Sequence, residues 1–177
     1  MAGDDAAVWF GGDDPRTEDE TRFLARLREH AGGWAARGVV PGDTWCLASM
    51  VPLLVVVPHP SLQGRRGLTT LQVGFLPPES GSQRLLGEWG SDYLLDAGGD
   101  DTDLSVEGVA GPAELFADLA ASWVDTQLGQ AMELLEWRRR DRVVASRIRL
   151  TDPGKVLVSE GPWRRTRRAP DRRVRLW

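Results

Sequence analysis

The chain has 177 residues, 41% hydrophobic and 27% charged, with a formal net charge of −4; that is enough apolar content for a packed core and too much for a globally disordered chain. A single cysteine, Cys46, and two histidines exclude an internal disulfide framework and a Cys/His zinc set. The longest apolar run, 45–58, is too short to span a bilayer and contains Pro52, and the acidic start lacks the basic region of a signal peptide, so a soluble cytoplasmic protein without a membrane role is expected.

Residues 1–16 carry the turn signals Gly11-Gly12 and Asp14-Pro15 with little periodicity, and read as a flexible acidic arm. Thr17 and Glu20 have the spacing of a capping box, in which each side chain can bond the other's amide. Phe23, Leu24, Leu27, Ala31 and Trp34 follow at helical spacing, so a helix is predicted over about 18–36, stopped by Gly38 and Pro41. Apolar runs at 45–50, 53–57 and 68–75 predict strands between Pro- and Gly-bearing turns. The stretch 85–95 is ambiguous, because Gly87 and Gly90 interrupt it. An acidic loop over 96–103 leads to a short strand at 104–109.

Gly111-Pro112 opens a second helix, 113–128, with Leu115, Phe116, Leu119, Ala120, Trp123 and Val124 on its apolar face and Gly129 at its end. The runs 132–137, 142–150 and 156–159 then predict a three-stranded antiparallel meander, turned at Arg138-Arg139-Arg140-Asp141 and at Asp152-Pro153-Gly154. Val174-Arg175-Leu176 repeats the alternation of Ile148-Arg149-Leu150 and offers a further strand. The order implies an α+β fold: a mainly antiparallel sheet, two principal helices packed on one face, and a C-terminal β-meander. One domain over 17–162 is expected, between the arm at 1–16 and an Arg/Trp-rich tail at 163–177.

The catalytic inventory is thin. His30 falls in the last turn of the first helix and reads as a surface residue; His59, between two prolines, is a weak general-base candidate. No serine lies in a Gly-x-Ser-x-Gly elbow, and no Gly-rich phosphate loop exists. Asp96, Asp100 and Glu107 match three positions of a calcium loop, but Asp101 stands where that loop requires glycine, so a solvated acidic turn is expected. No catalytic residue, cofactor site or metal site is assigned.

The tail is the least ordinary segment. Residues 163–177 hold seven arginines against Asp171, a net +6, while residues 1–20 carry a net −6. The candidate partner-binding residues are Trp163, Arg164, Arg165, Arg167, Arg168, Arg172, Arg173, Arg175 and Trp177. Arginine forks onto carboxylates and phosphates, and exposed Trp and Arg anchor interfaces. The arginine content also reflects composition: there is no Asn, one Lys and one Ile, a bias that fits a GC-rich bacterium such as an actinobacterium. Of the eight tryptophans, Trp34, Trp45, Trp123 and Trp137 are expected in the core, and Trp9, Trp89, Trp163 and Trp177 at the surface. The expected role is non-enzymatic: a protein-interaction domain of accessory, chaperone-like or immunity type that binds a protein partner or itself. Two alternatives stand beside it, a small-molecule binder or enzyme with a pocket between sheet and helices, and a nucleic-acid-associated regulator using the tail.

Overall fold

Thr17 and Glu20 act as their spacing requires: the Thr17 hydroxyl accepts from the Glu20 amide at 3.1 Å, and a Glu20 carboxylate oxygen accepts from the Thr17 amide at 3.2 Å. The helix they open, α1, runs Glu18–Ala31 and tightens into a 3₁₀ turn over Gly32–Arg37. The expected helix to 36 thus changes pitch at Gly32-Gly33, where backbone freedom disfavours a continued α-helix. The structure is a computed structural model describing residues 8–49, 52–63, 69–80, 83–91, 95 and 100–177. It divides into two units, Met1–Leu128 and Gly129–Trp177.

Residues 1–7 of the expected arm lie outside the described residues, and the rest of it is built into the first unit. Gly11–Gly12 forms a short strand, β1, parallel to β2 (Trp45–Leu47), and the Asp13 amide donates to the Cys46 carbonyl at 3.1 Å. Phe10 is buried and its amide donates to the Thr44 hydroxyl at 2.9 Å. Two features hide this in the sequence. A two-residue strand has no periodicity, and Phe10 adopts a φ of +57°, a region that a bulky residue rarely enters.

The remaining strands of this unit are β3 (Leu53–Val57), β4 (Thr70–Leu76), β5 (Arg84–Gly90) and β6 (Leu104–Glu107). They complete a six-stranded sheet in chain order, antiparallel at every pairing after β1. The second helix, α2, runs Ala113–Leu128 as its sequence predicts. Both helices pack on one sheet face, because Phe75 of β4 stacks on Phe23 of α1 at 4.5 Å and lies 5.8 Å from Phe116 of α2. Along α2 the alanines at 113, 117, 120 and 121 are buried with Phe116, whereas Leu115, expected inward, is largely exposed at the rim. No described helix is long and apolar enough to cross a membrane.

Of the ambiguous stretch 85–95, residues 85–90 belong to β5, whose buried positions alternate as Leu85, Gly87 and Trp89, and residues 92–94 lie outside the described residues. Gly87 is small for a reason: a Cβ there would come within 3.0 Å of the Trp123 ring. Trp89, expected at the surface, is buried, and its indole N–H donates to the Gln127 side-chain oxygen Oε1 at 2.9 Å.

In the second unit, β7 (Met132–Arg139), β8 (Arg142–Leu150), β9 (Val156–Glu160) and β10 (Arg172–Arg175) form an antiparallel sheet of order β10-β7-β8-β9. The expected meander is present, and the tail adds its strand beside β7. The fold class is α+β.

Candidate functional site

Directly opposed residues on neighbouring strands share a sheet face. Arg173 on β10 and Arg147 on β8 both lie opposite Leu135 of β7, while Arg175 and Arg149 both lie opposite Glu133. Four arginines therefore stand in two rows on one face of the second unit. Arg149 is partly neutralised by Glu133 at 2.5 Å. The same face holds a small cluster of Leu135, Trp137 and Ala145. A 3₁₀ turn, Trp163–Arg167, lies against it: Arg147 donates to the Thr166 hydroxyl at 2.6 Å, and the Trp137 indole N–H donates to the Arg168 carbonyl at 2.9 Å. The Arg147 guanidinium sits 5.9 Å from the centre of the Trp137 ring, within cation–π range.

The tail is thus an ordered part of the sheet. Arg168 and Arg172 pair with Asp171 and Glu136, at 3.2 Å and 3.6 Å. Arg175 donates to the Trp177 carbonyl, and Trp177 is 41% exposed. Arg164, Arg167 and Arg173 are exposed and Arg165 is half-buried. Trp163 begins the 3₁₀ turn, and its side chain lies outside the described residues. Sequence reasoning passed over the β7–β8 hairpin, where Arg138, Arg139, Arg140 and Arg142 are all exposed. Among the described residues, Arg139, Arg140, Arg142, Arg164 and Arg173 have no ion-pair partner. The sequence signal is an arginine run on either side of a turn, a pattern that a polar turn also gives.

The charge is segregated between the units. Residues 129–177 hold 14 basic against six acidic side chains, a net +8, and residues 1–128 hold eight against 20, a net −12.

Both histidines of the first unit are engaged within the fold. His59 is 1% exposed, its Nδ1 accepts from the Ser61 amide at 3.2 Å, and its ring lies 5.7 Å from that of Trp89. Burial pushes its pKa down to about 4, against the smaller effect of the Leu128 carbonyl. A group buried beneath a tryptophan is poorly placed as a general base for an external substrate. His30 sits in the last turn of α1, as its sequence position suggests, and its Nε2 bonds Asp118 of α2 at 2.7 Å. Hydrogen bonds from Arg26 and His30 hold the Asp118 carboxyl below the usual carboxylate range. Two surface grooves, of about 440 and 410 Å3, run beside this cluster, the larger lined by His30, Arg37, Asp118, Ser122 and Asp125; neither includes His59. Burial raises the Cys46 thiol to about 11, far from a reactive thiolate.

Of the acidic loop, Asp96 lies outside the described residues. Asp100 accepts from the Thr102 amide and hydroxyl, both at 3.2 Å, and Glu107 pairs with Arg84 at 2.5 Å. The Thr102 carbonyl in turn accepts from the Trp123 indole at 2.8 Å and from the Gln127 side-chain Nε2 at 3.3 Å. This end of the loop therefore ties β6 to α2. Among the described residues no three His, Cys, Asp or Glu side chains converge as a metal site. The chain matches no family model, no curated protein and no solved structure.

Proposed function

We propose that the protein is a binding protein whose second unit docks an acidic protein surface on its arginine-lined sheet. The observation that carries this reading is the charge segregation: a net +8 on 49 residues, with arginines in two rows on one face and four others, Arg139, Arg140, Arg142 and Arg164, exposed without acidic partners among the described residues. Two of the row arginines are held by the fold, Arg147 by Thr166 and Arg149 by Glu133. Preorganised arginines lose less conformational freedom on binding carboxylates than mobile ones.

Nucleic acid is the weaker fit. Trp137 is sealed in its cluster and offers no face for a base to stack on. A net −12 on residues 1–128 disfavours a duplex, with its dense phosphate charge, more than a less densely charged carboxylate surface. Fluorescence anisotropy with labelled polyglutamate and with a short DNA duplex tests this reading. The expected result is polyglutamate binding at low salt with weaker affinity for the duplex at the same salt. Tighter binding to the duplex, or no binding to polyglutamate, would overturn it.

A further inference from the structure

The β7–β8 hairpin closes through a two-residue loop, with Arg139 opposite Arg142 and Arg140-Asp141 at the tip. Both tip residues have positive φ, +49° for Arg140 and +64° for Asp141. A tight hairpin of this kind favours Asn-Gly or Asp-Gly, residues that enter the left-handed region at little cost. Aspartate tolerates that region; a long arginine does so only under strain. The tip therefore has a side chain that the turn itself disfavours, and that side chain is exposed.

The base of the hairpin is held from the C-terminal segment. The Asp171 carboxylate accepts from the Arg138 amide at 2.6 Å and from the Arg168 guanidinium at 3.2 Å, and Arg168 also donates to the Arg138 carbonyl at 3.2 Å. Arg138 reaches across the turn to the Asp141 carbonyl at 3.1 Å, and the register shifts between Trp137 and Arg138 as the strand enters the tip. Bulges of this kind re-aim side chains and recur beside functional sites. Exposed Val143 follows, an apolar surface beside the cations.

We infer that this hairpin tip is the primary anchor for the acidic partner, with Arg139, Arg140 and Arg142 taking carboxylates of a protein surface and Val143 packing beside them. The inference rests on the binding role proposed above and locates it. Local strain at an exposed cation with no ion-pair partner among the described residues points to a contact role for Arg140. The occupant is an acidic protein surface because the tip combines three unpaired guanidinium groups with an apolar neighbour, and exposes no aromatic ring among residues 138–143.

The test uses full-length protein and labelled polyglutamate at low salt. Arg140→Gly removes the strain and the charge together, so it should hold or raise the melting midpoint while weakening binding more than about threefold, the scale of one exposed ion pair. Asp141→Gly, its control, should raise the midpoint and leave affinity unchanged or stronger. Arg142→Gln, at an unstrained position, should weaken binding without any gain in stability. If Arg140→Gly and Arg142→Gln both bind within about threefold of wild type while Arg164→Glu/Arg173→Glu loses affinity, the hairpin is not the anchor and the binding role stands. If wild-type protein fails to bind polyglutamate, or prefers a DNA duplex, both readings fall.

Discussion

Glu20 offers a sharp test of how the N-terminal segment is tied to the fold. Its side chain is fully buried; one carboxylate oxygen accepts from the amides of Arg16 and Thr17 at 2.6 and 3.2 Å, and the other from the Arg16 guanidinium at 2.8 Å. Glu20→Ala deletes all three bonds and strands two backbone amides. Hydrogen bonds to a charged group contribute about 1.5–3 kcal/mol each, net of the water they replace. The Arg16 side chain is 40% exposed, so its ion pair contributes less than about 1 kcal/mol. Removing the carboxylate also relieves the cost of burying it, which leaves a net loss of about 2–4 kcal/mol. Thr17→Ala removes a single cap bond and should cost about 1 kcal/mol. The double variant should fall short of the sum, because both side chains act on the same first turn. Urea unfolding followed by tryptophan fluorescence measures all three. A Glu20→Ala variant no more destabilised than Thr17→Ala, with the same denaturant slope, would refute the assignment.

Two further outcomes follow from the first unit. His59 has a folded pKa near 4 against 6.5 when unfolded, so between those values the unfolded chain takes up the proton; stability is complete above about pH 6.5 and falls by about 3 kcal/mol as the pH drops to 4. In His59→Gln that part of the stability–pH curve should flatten, and an unchanged slope would assign it elsewhere. Trp89→Phe keeps a ring but removes the donor to Gln127, stranding a buried oxygen at a cost of about 1–3 kcal/mol; a thermal melt with no loss would mean that this bond does not matter.

The elements with strong local chemistry were legible: the capping box, the Pro112 helix start, and the alternation that builds the meander. What escaped the sequence was tertiary. Gly87 is the space that the Trp123 ring needs, so it broke the alternation that would have placed Trp89 inside. Phe10 looked like part of a loose arm because its positive φ and two-residue strand leave no periodic trace. Nothing in Pro-His-Pro signals burial, although packing against Trp89 buries His59. At the candidate site the arginine-rich tail stood out by composition, while its pairing with β7, and hence the rows it forms with Arg147 and Arg149, came only from the register.

The proposed role of the second unit's arginines, as a face for an acidic protein surface, is tested by the affinity of full-length protein for labelled polyglutamate, compared between wild type and Arg164→Glu/Arg173→Glu at low salt and near 1 M salt. Binding is expected at low salt and should weaken steeply near 1 M, where the Debye length falls to roughly 3 Å. The double variant should lose roughly tenfold or more at low salt, with the melting midpoint unchanged. Equal affinities for wild type and variant, or affinity insensitive to salt, would contradict that role.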